Sequence, residues 1–99
     1  MPQTFDPYHT WLGIPPQRQP PNHYDLLGIP LFEDKVETIE HAADRQMAHL
    51  HSLQTGKRAK LSQQLLNEVA EARVCLLNVQ EKAAYDQRLR EELQKAEKS

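Results

Sequence analysis

Two stretches of the chain, VETIEHAADRQMAHLHSL at residues 36–53 and AKLSQQLLNEVAEARVCLL at residues 59–77, decide its fold. In both stretches apolar side chains recur every three or four residues, which places them on one face of an α-helix. Two such helices, joined by a short polar linker, bury their apolar faces most easily against each other. The sequence therefore predicts an all-α fold built on an antiparallel hairpin, with helices at about Lys35 to Leu53 and Ala59 to Leu77.

Boundary signals add shorter helices on either side of this hairpin. Asn22 can cap the amides of a helix that runs to about Leu27, and Gly28 can supply its left-handed stop. Asp34 and Glu37 have the spacing of a capping box at the start of the first long helix. Asn78 and Glu81 repeat that spacing, which predicts a last helix from about Val79 that frays, or continues, beyond Arg88.

The first 21 of the 99 residues are rich in proline and aromatic side chains. The segment PPQRQPP at residues 15–21 favours extended backbone and is best interpreted as a stiff connector. The segment before it carries an apolar surface that we expect to pack back onto the helices, formed by Tyr8, Trp11, Leu12 and Ile14. We divide the chain into an N-terminal extension at residues 1–21, a helical domain at 22–89 and a charged tail at 90–99.

Composition excludes several classes of function. The net charge is −2, the pI is near 6.2 and the mean hydropathy is −0.76. No apolar run is long enough to cross a bilayer, and no global positive charge attracts nucleic acid or anionic lipid. Cys75 is the single cysteine, which excludes an internal disulfide, and the first residues do not resemble a secretory signal. We expect a cytoplasmic protein with neither a membrane nor a nucleic acid as partner.

Sites for chemistry are hard to find in the sequence. His49 and His51 are two residues apart and point to different helix faces, whereas helical metal ligands usually lie three or four apart. Neither a phosphate-binding glycine loop nor a C-x-x-C pair is present. The sequence predicts no metal, no cofactor and no enzyme; a small hydrolase that uses His51 or His49 has no support beyond residue type.

Three motifs in order give the chain a resemblance to a known family. These are YDLLGI at residues 24–29, VAEARVCL at 69–76 and EKAAYD at 81–86. They resemble the Y-x-x-L-G-[VI], I-N-E-A-Y-x-x-L and K-x-x-Y-D motifs of the J domain, found in the DnaJ family of co-chaperones. The resemblance implies a J-like helical hairpin over roughly Asn22 to Leu89.

Two departures separate the chain from that family. The His-Pro-Asp tripeptide that stimulates the partner chaperone should fall at His51-Ser52-Leu53, so only the histidine is present. The stretch from Glu33 to Ser52 contains five acidic residues and only two basic ones, Lys35 and Arg45. J domains, by contrast, usually present a basic surface on this helix. The resemblance therefore implies a divergent, J-like scaffold without chaperone stimulation.

The leading hypothesis is a non-catalytic interaction or regulatory module that binds a protein partner of unknown identity. J-like modules of this kind occur as appendages of larger bacterial proteins, including signalling kinases, so the chain could be the N-terminal part of one. The alternative is a divergent co-chaperone of the DnaJ type; oligomeric state stays open. The candidate contact residues are a basic cluster and two aromatic side chains: Lys57, Arg58, Lys60, Trp11 and Tyr8.

Overall fold

The computed structural model describes residues 5–54 and 56–98, and the prediction of an all-α fold is confirmed there. Residues 1–4 of the predicted extension, Thr55 in the linker and Ser99 at the end of the predicted tail lie outside the described residues. Within the described ranges the chain forms no β-strand. The helices are α1 (Pro7–Leu12), α2 (His23–Leu27), α3 (Val36–His51), α4 (Ala59–Leu77) and α5 (Val79–Lys98), with 3-10 turns at Pro16–Arg18 and Gly56–Arg58.

Helices α3 and α4 form the centre of the molecule. The Ser62 hydroxyl, in the first turns of α4, donates a hydrogen bond to the carbonyl of Leu50, near the end of α3. This contact joins the end of one helix to the start of the next, as in an antiparallel hairpin. The apolar face of each helix is removed from water, which supplies most of the stabilisation. The buried side chains at this interface include Ile39, Ala43, Leu50, Leu65, Val69 and Leu76.

The predicted capping box at the start of α3 is wrong. Lys35 is the N-cap residue and makes no side-chain capping bond. Phe32 adopts a left-handed backbone conformation, with φ of 63°, so the chain turns sharply just before α3. The carboxylate of Glu33 lies in this turn and accepts the amides of Asp34 and Lys35, at 3.1 and 3.2 Å. Glu33 thus binds amides of the turn before the helix, whereas the predicted capping box required the Asp34 side chain to accept the amide of Glu37.

Helix α5 begins where the sequence predicts and continues through the charged tail to Lys98. The Asn78 side chain accepts the amide of Glu81 at 3.0 Å, which satisfies one exposed donor at the helix start. Only Asp86 and Leu89 of this helix are buried. The contacts that hold α5 to the rest of the protein are therefore concentrated in its first half.

The described part of the N-terminal segment packs against the hairpin through residues 8–14. Asp6 caps α1, and Gly13 ends it in a left-handed conformation with φ of 70°. Ile14 then enters the common core, where it is 4% exposed. The Tyr8 hydroxyl donates a 2.6 Å hydrogen bond to Glu68 of α4. Among the helices of residues 5–54 and 56–98, none has both the length and the apolar composition that crossing a bilayer needs.

Candidate functional site

An open groove of about 380 Å³ lies where α3 turns into α4, and we call it the turn groove. One wall comes from the N-terminal segment and the other from the turn itself. Three separate parts of the chain contribute to it. The turn groove is lined by Phe5, Trp11, Ser52, Leu53, Lys57 and Arg58.

Aromatic rings of the N-terminal segment form the first wall, and a guanidinium from the turn stacks on one of them. Phe5 and Trp11 meet edge to face, with their ring centroids 5.2 Å apart. The Arg58 guanidinium lies 3.8 Å from the centroid of the Phe5 ring, in cation–π contact. Because it stacks on this ring, the Arg58 head group has a defined position at the groove, while its side chain stays exposed to solvent.

The same wall is fixed to the end of α3 by a hydrogen bond. His49 Nε2 lies 3.0 Å from the carbonyl oxygen of Trp11, which can only accept, so the imidazole donates. The contact joins the last turn of α3 to the last residues of α1. It holds the Trp11 backbone beside the end of α3.

The three residues at the expected tripeptide position have different surroundings. His51 is exposed as the last residue of α3, and its Nδ1 lies 3.3 Å from Oε1 of Gln54. The Ser52 hydroxyl donates to the carbonyl of His49, and Leu53 is half-buried against the core. Ser52 and Leu53 line the turn groove, whereas His51 is not among the residues that line it.

The charge at this end of the hairpin is positive. Lys57 and Arg58 occupy the 3-10 turn before α4, and Lys60 follows in its first turn; all three are exposed. Within the described part of the chain, none of the three forms an ion pair. Their local field therefore attracts carboxylates although the whole chain carries a net negative charge.

Tyr8, also a candidate contact residue, joins α1 to the hairpin. It is half-buried, and its hydroxyl is bound to Glu68 on α4, so it does not line the turn groove. Burial, together with this hydrogen bond, raises the pKa of Tyr8 to about 12. The phenol thus stays protonated at neutral pH and donates to the carboxylate, which fastens α1 to the hairpin.

Comparisons with protein-family models, curated proteins and solved structures return no match for this chain. The likeness to J domains stays a prediction.

Sequence reasoning missed two residues of the site, Phe5 and His49. Phe5 lies six residues before Trp11, and that spacing alone gives no sign that the two rings meet. His49 and Trp11 are 38 residues apart, and their contact depends on how α1 packs on the hairpin. The one available signal was a second aromatic side chain near Trp11 in a segment already expected to pack onto the helices.

Proposed function

We propose that the protein is a non-catalytic interaction module that binds an acidic segment of a partner protein in the turn groove. The observation that carries this proposal is the meeting of three features that lie far apart in the sequence. The aromatic N-terminal segment, the degenerate tripeptide position and the basic turn contribute Trp11, Leu53 and Arg58 to one concave surface.

The groove combines the two kinds of contact that peptide recognition uses. Aromatic rings and the Leu53 side chain offer apolar surface on which a partner side chain can be desolvated, and such anchors dominate binding energy. Lys57 and Arg58 offer charged donors at the edge, and an arginine can bind a carboxylate through two parallel hydrogen bonds. The complementary ligand is an extended or helical segment that carries carboxylates beside an aromatic or branched aliphatic residue.

The alternative, a divergent co-chaperone, has less support. Of the acidic residues at the start of α3, Glu37 and Asp44 are exposed, and the whole stretch has five acids against two bases. A basic docking surface is therefore missing from the helix that would carry it. We expect no stimulation of an ATPase chaperone by this chain; stimulation lost in His51→Gln would support the co-chaperone instead.

A selection from a random peptide library displayed on phage tests the proposal even while the partner is unidentified. We expect enriched peptides to be acidic and to share an aromatic or aliphatic anchor, and we expect the double variant K57E/R58E to lose their binding at least tenfold. Trp11→Ala should weaken the binding of the same peptides. Enrichment of neutral or basic peptides, or unchanged binding by K57E/R58E, would contradict the proposal.

A matched control separates the groove from overall charge. Lys35 and Arg45 are also exposed, but they lie on or next to α3 and do not line the turn groove. The double variant K35E/R45E changes the net charge of the protein by the same amount as K57E/R58E. It should bind the selected peptides with nearly the affinity of the unaltered chain, apart from a long-range effect that salt removes.

A further inference from the structure

A second groove, of about 420 Å³, lies at the opposite end of the hairpin, where the start of α3 meets the first half of α5. We call it the valine groove. It shares no lining residue with the turn groove. Its lining includes four apolar residues and two charged ones: Val36, Leu77, Val79, Ala83, Asp34 and Arg90.

The floor of the valine groove is apolar and open to solvent. Val36 is 53% exposed and Val79 is 84% exposed, the largest exposed fraction among the large apolar side chains of the described residues. A single exposed valine needs no explanation, but here two of them line one concavity with Leu77 and Ala83. A contiguous apolar surface rimmed by charged groups is typical of an interaction site.

The charged groups at this groove balance each other. Lys82 and Asp86 form an ion pair at 2.8 Å and are already neutralised. Asp34 and Arg90 are exposed and, among the described residues, neither forms an ion pair. The Arg90 guanidinium lies 4.4 Å from the centroid of the Phe32 ring, which fixes its position at the rim. The rim thus carries one free acid and one free base.

We propose that the valine groove is the interface between two copies of this chain related by a twofold axis. In such an interface the same patch faces itself, so it must be complementary to itself. A rim with one acid and one base meets this condition, because Asp34 of each copy can pair with Arg90 of the other while the valines pack between them. A strongly acidic or strongly basic partner would leave one of the two charges opposed by its own sign.

Sedimentation equilibrium on the full chain, over roughly 10 µM to 1 mM, tests this interface. We expect reversible dimerisation that V79E weakens at least tenfold, since two carboxylates would then meet in the apolar centre. V36E should have the same effect. V74E is the matched control, because Val74 is also an exposed helical valine, 60% exposed, but lies outside this groove. A chain that stays monomeric throughout, or a dimer that V79E and V36E leave intact, would overturn the proposal.

A charge swap identifies the twofold arrangement itself. D34R alone and R90D alone should each weaken the dimer, because each places like charges at both ends of the interface. An equimolar mixture of the two variants should form a heterodimer about as strong as the original dimer, since an acid then meets a base at both ends of the interface, with one of the two ion pairs reversed in sense. Both positions are exposed, so circular dichroism should show an unchanged fold. A mixture that associates no better than either variant would overturn the twofold pairing.

Discussion

The hydroxyl of Tyr24 donates a hydrogen bond to the carboxylate of Asp86, 62 residues later in the chain. Tyr24 is fully buried, and Asp86 is 7% exposed. Lys82 completes the arrangement, with its ammonium 2.8 Å from the other Asp86 oxygen. Two of the motifs behind the resemblance to J domains therefore bind each other directly. Burial first, and then the Asp86 bond, raises the pKa of Tyr24, so the phenol remains a donor at physiological pH.

Tyr24→Phe should lower the free energy of unfolding by about 1–3 kcal/mol, because it leaves a buried carboxylate with one donor fewer. Urea denaturation followed by circular dichroism measures this. Tyr8→Phe is the matched control: its hydroxyl also bonds a carboxylate, but at a half-buried site where water can replace it. We expect it to cost no more than about 1 kcal/mol. Equal losses of unfolding free energy in Tyr24→Phe and Tyr8→Phe would contradict this explanation.

Gly28→Ala should destabilise the protein by about 1–2 kcal/mol through its backbone alone. Gly28 ends α2 with φ of 72°, a conformation that L residues with a Cβ adopt at a cost. Space is not the cause, since an added Cβ would lie 3.7 Å from Gln46 Nε2 in ordinary contact. Gly28→Asn should therefore recover most of the loss, because asparagine tolerates this region. Thermal unfolding of both variants distinguishes strain from a clash, which would make asparagine the worse of the two.

The stability of the protein should fall as the pH is lowered through 6.5, in part because of His23. Burial lowers the pKa of His23 below its ordinary value of 6.5. The unfolded chain then binds more protons than the folded one between the folded pKa and 6.5, so acidification favours unfolding. His23→Phe keeps a ring to stack on Tyr85, at a centroid distance of 4.2 Å, but cannot titrate. The free energy of unfolding of the His23→Phe variant should change less between pH 7.5 and 5.5 than that of the unaltered chain. An identical change in the two proteins would exclude His23 as a source of the pH dependence.

The two halves of α5 should differ in protection from hydrogen exchange. Amides up to Leu89 are held by buried contacts, whereas every described residue after it is exposed. Exchange after Leu89 should therefore occur by local opening and not require global unfolding. Truncating the chain after Leu93 should change the free energy of unfolding by less than about 0.5 kcal/mol, while Leu89→Ala should cost about 2–4 kcal/mol. Protection of the last two turns equal to that of α4 would contradict this.

Local signals located the helices well. Helix α4 has the predicted bounds because an apolar period begins and ends there between a glycine break and an asparagine cap. The cap of α3 was misassigned because the helix starts one residue later, with Lys35 as its N-cap, and a spacing rule does not detect the left-handed turn at Phe32 that precedes it. Trp11, Lys57 and Arg58, which line the turn groove, were predicted as contact residues from residue type and clustering, and their binding to a partner stays a prediction. That Phe5 and His49 join them could not be predicted, since both contacts depend on the path of the N-terminal segment across the hairpin.

The shape of the turn groove depends on whether α1, which lies outside the hairpin, is docked on it. Phe5 and Trp11 line the groove when α1 is docked on the hairpin, a position in which Tyr8 bonds Glu68 and His49 bonds the Trp11 carbonyl. A ligand that contacts both this wall and the turn at Lys57 and Arg58 must favour the docked position of α1. By reciprocity, a change that releases α1 must weaken the binding of that ligand by the factor by which the ligand favours docking. If the groove binds the proposed acidic segment, the affinity measured there reports whether the first helix is docked.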